Sequence, residues 1–245
     1  ERVGFSEASN FAKYKVSGKG SAEWLQRLFT NSLPKIGRTN LTAMLNEKGF
    51  IVGEFSVSRI GDDEFFLFGS QAAEVHHPRW FLDHLPSNSD IRFEVLSLSM
   101  VGLTVAGPRS RDVLQKLTAT SLASKDFPFM AFRRVNIGMA PVWLSRMTYT
   151  GDLGYELWIP AADAVAVWDR LMEVGKLWAI RPAGMLALDV VRLEASLVWR
   201  EQAIHDAGVV CRGRVLEARL SEDEPHSIRS VPEVPRQNPR NENGA

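Results

Sequence analysis

Hydrophobic and polar residues alternate along residues 51–60 with the two-residue period of a β-strand. Phe55 and Val57 fall on one side of this segment. The other side carries the polar side chains of Glu54, Ser56 and Ser58. Because successive side chains of a strand point to opposite faces, the pattern predicts a strand with one buried face. A second apolar run at 64–69 follows the turn signal Gly61-Asp62-Asp63, which predicts a hairpin.

Helical spacing of apolar residues recurs between the strands. Residues 21–29 place Trp24, Leu25 and Leu28 on one face, as in an amphipathic helix. Further helices are predicted at 71–85 with an interruption near Pro78, from Pro108, at 161–174, and from Pro182 to 197. The apolar stripe of the helix at 161–174 is expected to consist of Val165, Trp168, Leu171 and Met172.

The remaining strands are predicted at 11–16, 42–45, 91–96, 101–106, 133–137, 141–147 and 157–160. Strands and helices interleave without the regular β-α-β period of a doubly wound sheet. We therefore expect an α+β fold with mostly antiparallel sheets and packed helices.

Composition divides the chain into two parts. Most of its 245 residues can build a sizeable core. The segment 221–245 differs, because it holds four prolines and almost no large apolar residues. Such a composition cannot bury enough surface to offset the entropy of ordering. We expect a folded domain over residues 1–210 and a disordered tail over 211–245.

Charge and patterning exclude several classes of partner. The formal net charge is zero, whereas nucleic-acid binders usually carry a basic face. No apolar run approaches the roughly 18 residues of a membrane span, so neither nucleic acid nor a membrane is an expected partner. Without a secretory signal pattern, a cytoplasmic protein is expected, or a mitochondrial matrix protein if it is eukaryotic. His76, His77 and His84 are expected on a solvated face and not in a metal site, since Pro78 disrupts their helical spacing.

The run from Tyr149 to Glu156 is the most informative candidate for function. It reads Tyr-Thr-Gly-Asp-Leu-Gly-Tyr-Glu, and its glycines permit a tight turn or the close approach of a ligand. Tyr149 supplies a flat apolar face and Glu156 a strong hydrogen-bond acceptor. Together they suit a heteroaromatic ligand with N–H donors. The alternative is a plain glycine hairpin with a solvated acid.

Three further segments make this run more specific. They are residues 8–18 (Ala-Ser-Asn-Phe-Ala-Lys-Tyr-Lys-Val-Ser-Gly), residues 41–54 (Leu-Thr-Ala-Met-Leu-Asn-Glu-Lys-Gly-Phe-Ile-Val-Gly-Glu) and residues 192–195 (Arg-Leu-Glu-Ala). The four segments, in this order, resemble the folate-binding aminomethyltransferase family typified by the T-protein of the glycine cleavage system. Residues 79–81 and 151–158 resemble the C-terminal folate modules of dimethylglycine and sarcosine dehydrogenases. The family's smaller C-terminal β-barrel is not recognisable in the chain.

The resemblance implies roles for four residues. Glu54 aligns with the family's catalytic carboxylate, normally an aspartate, and the longer side chain puts its geometry in question; the alternative is a surface acid. Tyr149 and Glu156 are implied to hold the pterin ring of tetrahydrofolate. Arg192 is implied as a further folate contact, although on a helix it can instead pair with Asp189. A second arginine of the family pattern is replaced by Leu188.

The implied activity is a tetrahydrofolate-dependent transfer of a one-carbon unit that forms 5,10-methylenetetrahydrofolate, in dimethylglycine, sarcosine or glycine catabolism. The implied partners are folate, a small amine-derived one-carbon donor, and either a flavin-dependent amine dehydrogenase domain or a lipoyl carrier protein. Two alternatives remain at this point: a non-catalytic folate-binding or assembly protein of the same fold, and an inactive truncated fragment.

Overall fold

Strands and helices interleave throughout residues 3–194, the part of the chain that the computed structural model describes. The strands are β1 Gly4–Glu7, β2 Ala12–Ser17, β3 Arg38–Leu45, β4 Ile51–Gly61, β5 Glu64–Gly69, β6 Arg92–Val95, β7 Met100–Ala106, β8 Phe132–Ile137, β9 Ala140–Ser145, β10 Gly154–Pro160 and β11 Arg181–Pro182. The α-helices are α1 Ser21–Leu28, α2 His76–Asp83, α3 Ser110–Gln115, α4 Ala164–Gly175 and α5 Met185–Glu194. Short 3₁₀ helices occupy Gln71–Ala73, Ala161–Asp163 and Lys176–Trp178.

The strands form two sheets. The six-stranded sheet has the order β11-β1-β7-β10-β9-β8, and the five-stranded sheet has the order β3-β4-β5-β2-β6. Among the described strands, β1 and β11 pair in parallel, and the other pairs are antiparallel. The predicted α+β fold with mostly antiparallel sheets is therefore confirmed.

Helices cover one face of each sheet because the strands alternate apolar and polar positions. On the five-stranded sheet, Phe55 and Val57 of β4 are buried against Leu25 of α1 and Phe81 of α2. This confirms the strand face that the alternation predicted. On the six-stranded sheet, α3 and α4 pack on the face that carries Leu103, Val105, Tyr155 and Leu157.

The uncovered faces of the two sheets, here called the inner faces, meet through aromatic side chains. This aromatic cluster comprises Phe66 and Phe68 of β5, Phe132 of β8, Trp143 of β9 and Trp158 of β10. The rings of Phe68 and Trp158 stack at a centroid distance of 4.1 Å. The cluster joins the sheets, and Met100 and Ile60 add apolar contacts to it.

Two of the predicted helices differ from the structure. The break in the segment 71–85 falls between the 3₁₀ helix and α2, and Pro78 lies in the first turn of α2, where a helix needs no backbone N–H. In α4, Val165 is 73 % exposed, while Val167 is buried with Leu171. The other predicted residues of the stripe face the core: Trp168 packs on Phe5 with ring centres 4.6 Å apart, Leu171 is buried, and Met172 packs against the same cluster.

The prediction that Pro182 begins a helix was wrong. Pro182 lies in β11 and pairs with Phe5 of β1, and α5 begins at Met185. The adjacent Ala183 donates its N–H to the carbonyl of Phe5 at 2.7 Å. Proline is tolerated in an edge strand because its missing N–H faces away from the ladder.

The end of the last predicted helix (195–197), the tail at 211–245 and the expected absence of a β-barrel concern residues outside the described range. Residues 3–194 all belong to one compact unit. No helix within them has both the length and the apolar character needed to cross a membrane.

Candidate functional site

Glu156 lies on the inner face of the central strand β10. It pairs with Ser145 of β9 on one side and with Thr104 of β7 on the other. Directly opposed side chains on neighbouring strands lie about 5 Å apart at Cβ. Ser145 is 2 % exposed and Thr104 is 6 % exposed. A row of polar side chains therefore crosses the inner face beside the aromatic cluster.

Burial raises the pKa of the Glu156 carboxyl from 4.5 to about 8. Within residues 3–194, no hydrogen bond or ion pair holds this carboxyl group. The neighbouring Ser145 Oγ is likewise buried without a hydrogen-bond partner in that range. Buried polar groups are ordinarily hydrogen-bonded, so the unpartnered Ser145 hydroxyl beside this desolvated carboxyl indicates a place for a ligand.

The loop before β10 brings Tyr149 next to α5. Gly151 has φ of 77°, a left-handed conformation that glycine adopts without strain. A Cβ atom at Gly154 would lie 2.8 Å from Thr148 Cβ, so this glycine permits the loop to pack closely on β10. The predicted turn with closely packed backbone is confirmed.

Arg192 and Asp189 of α5 contact this loop. Arg192 Nε donates to Asp189 Oδ1 at 3.1 Å, and Tyr149 Oη lies 3.5 Å from the same oxygen. The Arg192 guanidinium is 5.8 Å from the centre of the Tyr149 ring, within range of a cation–π contact. Arg192 thus makes the helical pair with Asp189 that the sequence offered as an alternative, and it also lies beside the tyrosine.

Glu54 projects from the inner face of the five-stranded sheet. Along β4 it shares this face with Ser56, which pairs with Phe68, and with Ser58, which pairs with Phe66. Ser58 is buried, and its Oγ lies 2.7 Å from the hydroxyl of Thr39. The polar side of this strand therefore faces the other sheet. The side chain of Glu54 itself is partly buried.

The aromatic cluster shows which part of the six-stranded sheet Glu54 faces. Phe66 lies 5.8 Å from a phenylalanine of the edge strand β8, whereas Phe68 stacks on Trp158 of β10. A step from Phe66 to Phe68 thus leads from the sheet edge toward β10. On the adjacent β4, the register places Glu54 beyond Phe68 in the same direction. Glu54 therefore lies on the inner face beyond the aromatic cluster, on the side that leads toward β10.

A cavity of about 320 Å³ adjoins the polar row. Its walls include Thr104, the neighbour of Glu156, together with Ser6 and Thr150. On the other side it is closed by Leu188 and Val191 of α5. Volumes of about 300–1,000 Å³ are typical of small-molecule pockets. The polar row therefore ends at a pocket whose lining includes hydroxyl groups, the charged Asp152 and Arg181, and apolar side chains.

These residues fit a planar ring with adjacent N–H donors. An ionised carboxylate accepts two parallel N–H groups in the bidentate manner that planar donor pairs favour. Within the described residues, the Glu156 carboxyl accepts no hydrogen bond. The Ser145 hydroxyl beside it also has no hydrogen-bond partner there. The pterin ring of a folate carries such a donor edge, so the chemistry of the site is compatible with it.

Among residues 3–194, no group of three or more His, Cys, Asp or Glu side chains that could hold a metal ion occurs. The expectation that all three histidines lie on a solvated face was wrong for His77. This residue is fully buried, because α2 turns it onto the five-stranded sheet beside Tyr14 and Phe55. The tertiary packing of a short helix is not visible in the spacing of histidines.

Sequence reasoning missed Ser145 and Thr104. The position of Ser145 could have been predicted, because β9 and β10 are consecutive antiparallel strands. Counting outward from the loop between them pairs Ser145 with Glu156. Thr104 had none, because β7 is distant in sequence and its pairing with β10 is set by the sheet order.

Comparison with known proteins agrees with the fold. A family model described as the GCVT N-terminal domain matches residues 1–208. Human mitochondrial dimethylglycine dehydrogenase is 35% identical over 195 residues, which cover 79% of this chain and 22% of that protein. An aminomethyltransferase of Thermoanaerobacter sp. (strain X514) is 32% identical over 198 residues, covering 80% of this chain and 53% of that protein. The chain therefore spans only part of the length of these relatives.

A solved structure shares the architecture. The glycine cleavage system aminomethyltransferase T from Bartonella henselae superposes with a TM-score of 0.69 and 22% sequence identity, covering 81% of this chain and 52% of that one. At this identity the match concerns the fold alone. It agrees with the two antiparallel sheets and packed helices described above.

Proposed function

The chain belongs to the GCVT N-terminal domain family, and we propose that it binds tetrahydrofolate between its two sheets and transfers a one-carbon unit to it. The product of this proposed reaction is 5,10-methylenetetrahydrofolate. The observation that carries the proposal is the buried Glu156 carboxyl, which faces the inter-sheet space beside the unpartnered Ser145 hydroxyl.

Glu156 is proposed to bind the donor edge of the pterin ring. Ionised, it accepts two parallel N–H groups, and the buried setting strengthens these charge-assisted bonds. Ser145, directly opposite on β9, is placed to add a hydrogen bond beside that edge. Tyr149 contacts α5 through Asp189, and we propose that it packs against the folate. Arg192, beside that ring, is proposed to attract the ligand's negatively charged tail.

Glu54 is the proposed catalytic residue. A carboxylate near the reacting nitrogen can orient it, accept its proton and stabilise developing positive charge. The family resemblance places an aspartate at this position, and glutamate is longer by one methylene. A misplacement of about 1 Å can cost about a hundredfold in rate. Glu54 is therefore expected to work only if its strand holds the carboxylate at a corrected position.

Tetrahydrofolate, when bound, supplies the nucleophilic nitrogens that capture the one-carbon unit. The named relatives support dimethylglycine or sarcosine as the source of that unit, and the aminomethyltransferase relative supports the glycine cleavage alternative. A flavin-dependent amine dehydrogenase domain is the proposed partner in the first case and a lipoyl carrier protein in the second. A mitochondrial matrix location is proposed from the mitochondrial relative, and the cytoplasm otherwise.

Binding is tested by titrating the protein with 5-formyltetrahydrofolate, an air-stable reduced folate, and following tryptophan fluorescence. Glu156→Gln should weaken binding by about 10- to 100-fold, because hydrogen bonds to a charged group are worth about 1.5–3 kcal/mol. The matched control is Glu94→Gln, which changes an exposed glutamate on the edge strand β6 and should leave the affinity unchanged. Equal affinity of wild type and Glu156→Gln would refute the assigned binding role.

Turnover is tested separately with tetrahydrofolate and formaldehyde, by measuring methylenetetrahydrofolate above the uncatalysed background. Loss of this activity in Glu54→Gln with unchanged folate affinity supports the catalytic role. Turnover that survives in Glu54→Gln contradicts it.

A second candidate is a folate-binding protein without transfer activity. The glutamate at position 54 favours it, because the longer side chain departs from the aspartate that the family resemblance implies. In that case the titration gives tight binding that depends on Glu156, and the turnover assay gives only the background rate in wild type.

A further inference from the structure

His77 fills a hollow beneath the strand that carries Glu54. The side chain is 0 % exposed, and its ring centre lies 4.6 Å from that of Phe55. Tyr14 Oη is 3.5 Å from His77 Nδ1 on the other side of the ring. The proposed reaction does not use this imidazole.

Two glycines on neighbouring strands make room for the ring. A Cβ atom on Gly53 of β4 would lie 2.5 Å from His77 Nε2, and one on Gly69 of β5 would lie 3.3 Å from Cε1. Separations as short as the first do not occur between real side chains, so His77 rests directly on the β4 backbone. That contact is immediately before Glu54, whose side chain leaves the opposite face of the sheet.

Packing alone does not account for a histidine here. Burial and the nearby charge of His76 lower the pKa of His77 to about 4, although a backbone hydrogen bond with Val52 acts in the opposite direction. The ring is therefore neutral at ordinary pH, and within the described residues Nε2 makes no hydrogen bond of good geometry. An apolar ring of similar size would fill the hollow without an unsatisfied nitrogen. What distinguishes histidine from such an apolar ring is the contact of its Nε2 with the Gly53 backbone.

We propose that His77 is a positioning residue for Glu54: the ring, lodged under Gly53, fixes the height of β4 and so the distance of the Glu54 carboxylate from the folate nitrogen. This inference rests on the proposed function. It answers the question that the longer glutamate raises, since a support beneath the strand can compensate for a side chain that reaches further. His77 touches neither substrate nor the reacting atoms and acts through Glu54 alone.

The test is a double-mutant cycle on turnover with His77→Ala and Glu54→Asp, which keeps a carboxylate and therefore a measurable rate. His77→Ala should lower kcat at least tenfold, with KM for tetrahydrofolate within twofold of wild type, because binding depends on Glu156. In the Glu54→Asp background, where the shorter carboxylate no longer has the reach that the support is proposed to set, the same change should have a much smaller effect on kcat. A residue with a purely structural role would lower kcat by the same factor in both backgrounds, and that outcome overturns the proposal.

The control is Leu25→Ala, which removes an equally buried side chain from the same core. It should lower the melting temperature as His77→Ala does while leaving kcat unchanged. If Leu25→Ala lowers kcat as much as His77→Ala, the effect is general destabilisation and the proposal is wrong.

An NMR measurement that does not depend on turnover distinguishes a failure of this inference from a failure of the proposed function. In protein labelled with ¹³C-carboxyl glutamate, the Glu54 resonance is identified by its loss in Glu54→Gln. His77→Ala should move that resonance and its titration midpoint while leaving the Glu156 resonance in place. An unchanged Glu54 resonance refutes positioning even in an active protein. A shifted resonance in a protein without turnover supports positioning and refutes the transfer reaction.

Discussion

Binding of a reduced folate should release a proton from Glu156, and the perturbation that removes this release is Glu156→Gln. The free protein holds this carboxyl protonated near neutral pH, because burial raises its pKa to about 8. A ligand that presents paired N–H donors requires the ionised carboxylate. The carboxyl must therefore lose its proton when such a ligand binds below pH 8.

The expected number of protons follows from the pKa. With a value of about 8 in the free protein, about 0.9 of the Glu156 side chains are protonated at pH 7 and about 0.1 at pH 9. Binding should thus release about 0.9 proton per ligand at pH 7 and about 0.1 at pH 9. The affinity should rise about fiftyfold between pH 6 and pH 8, because the ionised fraction rises by that factor.

Isothermal titration calorimetry with 5-formyltetrahydrofolate measures this release. At one pH, the observed enthalpy is plotted against the ionisation enthalpy of several buffers, and the slope gives the number of protons. Wild type should show the release, and Glu156→Gln should show almost none. Glu54→Gln is the matched control and should retain it. A slope near zero in wild type, or an equal slope in Glu156→Gln, would refute the assignment of Glu156 as the carboxylate that binds the donor edge.

Other predictions concern stability. In the folded protein the pKa of Glu156 is about 8, above its ordinary 4.5. The free energy of unfolding should therefore fall as pH rises from 4.5 to about 8, by at most about 5 kcal/mol, and should not fall further above pH 8 for this reason. Urea unfolding of Glu156→Gln should show no such decline, and an equal decline would contradict the assignment. Gly154→Ala should cost about 1–3 kcal/mol, because its Cβ would lie 2.8 Å from Thr148 Cβ; Gly184→Ala, with open space around the added methyl, should cost clearly less in the same assay. Asp189→Asn should cost under about 1 kcal/mol in thermal unfolding, because that carboxylate is 41% exposed; a loss above about 2 kcal/mol would show that its contacts carry more than a surface pair.

Strands were easier to predict from this sequence than helix phases. Residues 51–60 alternate with period two, a turn signal follows, and 64–69 form an apolar run; the structure has β4 and β5 at nearly these bounds. Of the stripe predicted for α4, Val165 was misplaced, because Val167 takes the buried position near the start of the helix and leaves Val165 73 % exposed. The strand at Pro182 was missed because it exists only through pairing with β1. Its local sequence resembles a helix start.

In the candidate site too, features with a local sequence pattern could be predicted and features set by long-range packing could not. Glu54 and Glu156 were found from local patterns and from the family resemblance. Their common orientation toward the inter-sheet space depends on which strands neighbour each other, and the sheet order is not encoded locally. The high pKa of Glu156 and the burial of His77 were also invisible, since both result from packing between distant segments.

The inner faces of the two sheets combine two requirements. At the aromatic cluster, Phe68 and Trp158 join the sheets in a way that favours folding. Two residues along β10 from Trp158, Glu156 carries a carboxyl whose desolvation raises its pKa to about 8. Beside it, Ser145 Oγ is buried without a hydrogen-bond partner in the described residues, which costs stability. A fold selected for stability alone would fill these positions with apolar side chains. Their polarity is best explained by a ligand that forms hydrogen bonds with them. The unpaired groups destabilise the free protein, but they favour a ligand with matching donors over one without.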